Sequence, residues 1–158
     1  MKKVFKVILI IIPLFIFSNC GFKVVKYESD KNFNIVNFTE SGDDEVNFII
    51  RRSLKSYDNN QESIDINFNL KSAVEKKVKE KNLKNEILKY ELYVKAEIEI
   101  FIISTNKEFR FNVEKVKDFK ASNKTNELKY NERTLLKQLV ASMSDQIIRE
   151  VSLLLNDL

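Results

Sequence analysis

Between Leu92 and Ile102 the chain alternates without a break: Leu92, Val94, Ala96, Ile98, Ile100 and Ile102 are apolar, and Tyr93, Lys95, Glu97 and Glu99 stand between them. A period of two puts one set on each side of an extended backbone, so this run is a long strand with one buried and one wet face. Ser104-Thr105-Asn106-Lys107 reads as a hairpin loop, after which Phe109, Phe111 and Val113 continue the alternation on a return strand predicted to reach Phe119. Strands joined this closely pair antiparallel. Upstream, Ile64, Ile66, Phe68 and Leu70 alternate with Asp65, Asn67, Asn69 and Lys71, which predicts a third strand and a meander. The polar stretch from Glu75 to Asn82 reads either as the projecting end of a long strand pair or as a loop.

Elsewhere the period changes. Val46, Ile49, Ile50, Leu54 and Tyr57 recur at helical spacing, with Ser41 and Asp43 or Asp44 available as caps and Asp58-Asn59-Asn60 as a stop, predicting a helix of about four turns. Leu135, Leu136, Leu139, Val140, Met143, Ile147, Val151, Leu154 and Leu155 form a second stripe, for a helix of about seven turns after the polar linker Ser122 to Asn126. A short strand is expected over Phe33 to Phe38, ended by Thr39-Glu40-Ser41-Gly42. The order is β-α-β-β-β-α. One apolar sheet face and two apolar helix stripes are satisfied together by an α+β two-layer sandwich: a four-stranded, mostly antiparallel sheet with both helices on one face. With 158 residues, the chain has room for one such domain, assigned to residues 33–158.

The amino terminus is of another kind. Met1-Lys2-Lys3-Val4-Phe5-Lys6 is basic, Val7 to Phe17 is apolar with Pro13 inside it, and Ser18-Asn19 leads to Cys20, the only cysteine. This is the three-part layout of an export signal, and its apolar run falls short of the roughly 18 to 20 residues that cross a bilayer as a helix. Phe17-Ser18-Asn19-Cys20 resembles the lipobox at which lipoprotein signal peptides are cut and the new terminal Cys is acylated. It departs from the usual pattern at Phe17 and Asn19. Residues 1–19 are therefore assigned as a signal peptide and residues 20–32 as a lipidated terminus and linker. Acyl chains on Cys20 would hold the domain on a membrane. Gly21, where an Asp would resemble an inner-membrane retention signal, leaves the outer membrane as the expected destination.

Charge and composition then narrow the function classes. Of the net +4, Lys2, Lys3 and Lys6 belong to the first nineteen residues, which leaves +1 for residues 20–158. A nearly neutral domain has no long-range field with which to gather a polyanion, so nucleic acid is not an expected partner. The chain has no His, one Cys and two Gly, so the commonest general base, a His or Cys metal cluster and a glycine-rich phosphate loop are all missing. A hydrolase triad has no imidazole to work with. The expectation is a protein that is not an enzyme, with no catalytic residues, no metal and no cofactor.

Cys20-Gly21-Phe22 after the signal, the strand from Tyr90 to Ile103 with its basic return strand, a helix start containing Glu132, and Gln146-Ile147-Ile148 near the end together resemble the LPS-assembly lipoprotein LptE family across residues 20–158. The resemblance implies a partner, the β-barrel LptD, with this domain on the periplasmic side or partly within the barrel lumen as a plug, and lipopolysaccharide as ligand. An accessory subunit of another envelope lipid-trafficking transporter is the alternative with the same anchor. Phosphates on the lipid's sugar head would call for clustered cations, and Lys76, Lys77, Lys79, Lys81 and Lys84 are the densest group outside the signal. The same run, interrupted by Glu75 and Glu80, also reads as a solvated face. Lys115, Lys117 and Lys120 form a second group.

Overall fold

The structure is a computed structural model that describes residues 33–56 and 63–157. The signal segment, Cys20, the linker to residue 32, Tyr57 and the helix stop at Asp58-Asn59-Asn60 lie outside the described residues. The elements are β1 (Phe33–Ser41), α1 (Asp44–Lys55), β2 (Ile64–Lys81), β3 (Ile87–Ile102), β4 (Lys107–Lys120) and α2 (Thr125–Asn156). They form one sheet in the order β1-β2-β3-β4, with the β2-β3 and β3-β4 pairs antiparallel and β1 parallel to β2. A parallel pair needs a crossover between its strands, and α1 supplies it. The architecture is the α+β sandwich expected from the periodicities.

The buried face carries Ile66, Phe68 and Leu70 of β2, Leu92 through Ile102 at every second position of β3, and Val113 of β4. Against it pack Val46, Ile50 and Leu54 of α1 and Leu135, Leu139, Val140, Met143, Ile147, Ile148, Val151 and Leu155 of α2. Each of these large side chains adds about 1.5 to 3 kcal/mol by leaving water, which makes this single layer the dominant stabilising term.

β1 solves a parity problem that the sequence poses. Phe33 and Phe38 cannot share a face of a regular strand, because they are an odd number of residues apart. The ladder to β2 shifts register between Ile35 and Asn37, and the bulge turns Val36 out to 57% exposure. With one residue absorbed, Phe33 is buried and Phe38 stacks on Phe68 with ring centroids 5.3 Å apart. The strand also runs three residues past Phe38, because Thr39, Glu40 and Ser41 stay in register with Asn69, Leu70 and Lys71.

The corner after β1 is built from small and polar residues. Gly42 has φ +98 and lies against the backbone of Ser72, so a Cβ there would be driven into the Ser72 carbonyl. Asp43 is the helix cap, its carboxylate accepting from Val46 N at 3.0 Å, while Asp44 and Glu45 in the first turn and Arg52 and Lys55 in the last complement the helix dipole. Ser72 Oγ accepts from Asp43 N at 3.0 Å and donates to Asn47 Oδ1 at 2.7 Å, and the Asn47 amide donates to Ser41 O at 3.1 Å. Buried Asn47 and Ser72 are thus satisfied by one another and by the turn they hold.

Two elements are longer than their patterns announced. α2 begins at Thr125, inside the expected linker, and its 32 residues make roughly nine turns. Its first turns are polar because they reach beyond the core. The stretch Glu75 to Lys81 is strand and pairs with β3 out to Ile87, so of the two readings of this run the projecting strand end is the one found.

Replacing Gly42 by Ala is expected to lower the unfolding free energy by about 2 kcal/mol or more, from left-handed backbone strain plus the clash with Ser72. Ser72→Ala is expected to cost about 1 to 3 kcal/mol by orphaning the buried Asn47 Oδ1 and the Asp43 N–H. Urea denaturation of the two variants checks both values.

Candidate functional site

β1 pairs with β2 only as far as Lys71, so among the described residues Ser72–Lys81 has a strand on one side only. This open edge and the hairpin apex beyond it carry the first lysine group. The structure spreads that group out. Lys76 is on the helix side of the sheet, 2.7 Å from Glu132 of α2 and 5.3 Å from the centroid of the Tyr90 ring. Lys77 is on the opposite face, paired with Glu75 at 3.1 Å and 4.6 Å from the Tyr93 ring centroid. Lys79 reaches Glu91 at 3.0 Å and Asp118 at 3.8 Å. Lys81 donates to the Asn85 side chain at 3.1 Å, and Lys84 is exposed on the turn itself. Only the last two, therefore, are cations without a carboxylate partner.

The apex is rigidly tied. Asn82 Oδ1 accepts from the backbone of both Lys84 and Glu86, the Asn82 amide donates to Glu86, and Asn85 takes φ 63. Asn tolerates this left-handed conformation better than most residues. Leu83 stands between the two free lysines, fully exposed.

The second lysine group divides as well. Lys115 and Lys117 are two apart on β4 and so share the helix-side face, where Lys117 lies across Leu92 from Lys76. Lys120 pairs in register with Lys89 on the other side.

Among the described residues, no helix covers the second face of the sheet. Its carboxylates, Asp65, Glu75, Glu80, Glu91, Glu97, Glu99, Glu108, Glu114 and Asp118, outnumber the cations Lys71, Lys77, Lys79, Lys89, Lys95, Arg110 and Lys120. Among the described residues all of those cations but Lys120 are committed: Lys71 to Glu97, Lys77 to Glu75, Lys79 to Glu91, Lys89 to Glu80, Lys95 to Glu114, and Arg110 to both Glu99 and Glu108. Across β2, β3 and β4 this face sinks into a shallow depression of about 440 Å³ bordered by Asn69, Lys71, Glu97, Glu99, Arg110 and Asn112. A smaller one beside it, bordered by Asn37, Thr39, Asn67 and Phe101, shares Asn69 and Glu99. Nothing in the alternation separated these positions from any other wet strand face; they meet only through the register of four strands.

Titration is perturbed at the far end of this face. The Tyr93 hydroxyl, donating to Glu91 at 2.6 Å, holds that carboxyl below the ordinary range, and Lys79 adds to the effect. Glu91 in return raises the Tyr93 hydroxyl and the Lys79 ammonium. Among the described residues no grouping of His, Cys, Asp and Glu could hold a metal ion, and no helix is long and apolar enough to cross a membrane.

A carboxyl with a lowered folded pKa contributes stability above the ordinary carboxylate range, and the contribution is lost as the pH falls through the lowered value. Tyr93 and Lys79, both raised, contribute below their ordinary values and lose the contribution as the pH climbs past them. Thermal melting against pH should therefore show a flatter acid limb for Glu91→Gln than for the parent. An identical acid limb would mean that the pairing is screened out by water, as is common for exposed ion pairs.

No protein-family model matches the sequence, and none of the curated proteins matches it. Solved structures do share its fold, among them bacterial lipoproteins. A rare lipoprotein B from Shewanella oneidensis superposes with a TM-score of 0.60 at 14% identity, over 77% of this chain and 97% of that one. A lipoprotein B from Nitrosomonas europaea gives 0.58 at 14% identity, over 86% and 93%. A minor lipoprotein from Acinetobacter baumannii gives 0.51 at 10% identity, over 73% and 91%.

Proposed function

We propose that this protein is a lipoprotein of the outer membrane, anchored through Cys20, that partners and plugs an LptD-like β-barrel and takes part in lipopolysaccharide assembly. The observation that carries the reading is the coincidence of two independent features. The fold is one found in bacterial lipoproteins over nearly their whole length, and the sequence ahead of that fold ends its apolar run at a lone cysteine.

The surface suits a plug. Barrel lumens are polar and wet, and the uncovered sheet face is polar, with most of its cations matched to carboxylates. β3 extends roughly 50 Å at about 3.3 Å per residue, so a domain lying along a lumen would follow its long axis. The chain arrives from Cys20 at Phe33, which pairs with Ile64 at the start of β2, and the apex at Leu83 is at the opposite end of that strand. Anchored at one end, the domain presents its hairpin with the other. The role proposed is non-catalytic: it positions and occludes.

For the lipid's phosphates, the geometry favours Lys81 and Lys84 within the first lysine group. Lys76, Lys77 and Lys79 each have a carboxylate to leave before they bind another anion. Replacing all five by Gln is expected to weaken binding to lipopolysaccharide in a salt-sensitive way. Lys81→Gln with Lys84→Gln alone should reproduce most of the loss, on the order of tenfold for two cations near an anionic lipid surface. Binding unchanged in the five-fold variant would remove the assignment.

The partnership is tested by a pull-down from gently solubilised outer membranes through a carboxy-terminal tag. A single large, heat-modifiable β-barrel recovered in about equal amount supports the plug. Fractionation with the inner membrane, or recovery of transporter subunits, would replace it with the transporter-accessory reading. Cys20→Ser should release the protein from membranes and abolish labelling by a fatty acid.

A further inference from the structure

We infer that the smaller depression at the β1 end of the uncovered sheet face, bordered by Asn37, Thr39, Asn67 and Phe101, is a binding site for an uncharged saccharide. In register across the sheet, Asn37, Asn67, Phe101 and Glu108 make one row, and Thr39 and Asn69 begin the next. Neighbouring strands lie about 4.8 Å apart, so these side chains form a fixed polar lattice rather than a mobile loop. Among the described residues, the side chains of Asn37, Thr39 and Asn67 make no hydrogen bond within the protein. Each amide offers two donors and an acceptor, and each hydroxyl offers both, which matches sugar hydroxyls that donate and accept at once.

Phe101 supplies the other half of the chemistry. It is the one aromatic ring in its row, half-buried between Asn67 and Glu108, and presents an apolar surface to the floor of the depression. A pyranose has an apolar face of axial C–H groups and a rim of hydroxyls. A ring beneath and amides at the side accommodate both.

Charge selects the class of ligand. Among the described residues, Glu99 and Glu108 border the depression and no cation does, and Arg110 beside them is held by both. A phosphate or carboxylate ligand would meet repulsion there without compensation. The volume of about 150 Å³ is below the usual range of small-molecule sites and the depression is open and shallow, which implies weak binding of about one sugar unit of a longer chain. The site does not depend on a barrel partner, and its test involves none.

The experiment titrates the full chain, in a sugar-free zwitterionic detergent, with maltohexaose and separately with inorganic phosphate, following 1H–15N spectra. Saturable shifts of the Asn37 and Asn67 side-chain amides and of the backbone around Phe101, with maltohexaose and not with phosphate, are expected. Asn67→Ala should weaken the titration roughly fivefold, the loss of about one hydrogen bond. Its spectrum also reports whether the fold is intact, and Phe101→Ala should abolish the shifts. No saturable shift with maltohexaose, equal shifts with phosphate, or an undiminished titration in folded Asn67→Ala would each overturn the site.

Discussion

Everything above and below the sheet depends on where β1 stops. Had it continued beside β2 past Lys71, α1 would have had to start further along and would have covered a different stretch of strand. Instead Gly42 turns the chain in a conformation that other residues enter only with strain, and it does so in contact with Ser72. Ser72 and Asn47 then satisfy the buried polar groups that an abrupt strand-to-helix corner leaves behind. This small network fixes the starting point of α1, and with it the limit of the α1 half of the helical layer.

The long helix completes that layer on the other side. Its apolar stripe seals β3 and β4, and Arg133 and Glu45 join the two helices at their exposed shoulder at 3.2 Å. Beyond Ser72 only the first turns of α2 remain over the sheet, tied down by Lys76 to Glu132. One consequence is the open edge of β2 from Ser72 to Lys81, an unpaired backbone that would template association with another strand. The lysines there answer the problem in the usual way for edge strands, and two register shifts between Val78 and Lys81 twist the edge further from flatness. The charge run that first suggests an anion site thus has a structural duty along most of its length. Its free cations are left at the apex.

The core was readable because its periods are clean. Leu92 to Ile102 and the stripe of α2 obey the geometry of their elements almost residue by residue, and burial follows them. Legibility failed where geometry departed from the period. Phe33 and Phe38 could not be reconciled without the bulge at Val36, and the polar first turns of α2 carry no stripe because they lie over the polar end of the sheet, where Lys76 meets Glu132. The lysine groups failed for a different reason. Proximity in sequence is proximity in space only in a helix or a tight turn; along a strand it alternates faces, and Lys76 and Lys77 are sent to opposite sides of the sheet.

That same alternation explains why the polar trough went unseen. On each strand Asn67, Asn69, Thr39 or Glu108 is merely the wet partner of an apolar neighbour, as any half-buried strand requires. A site appears when register places amides from β1 and β2 beside an aromatic from β3, and register depends on the bulge in β1. Without the residue absorbed at Val36, the side chains of Asn37 and Thr39 would point into the core and Phe38 would point out. The irregularity that repairs the core is therefore also the one that assembles the outer face. A chain under selection for its core alone could have reached the same packing with an apolar residue at position 37 or with no bulge. Here one extra residue settles both faces of the sheet at once, so changes at Val36 should be felt in the trough as well as in the packing of Phe38 on Phe68.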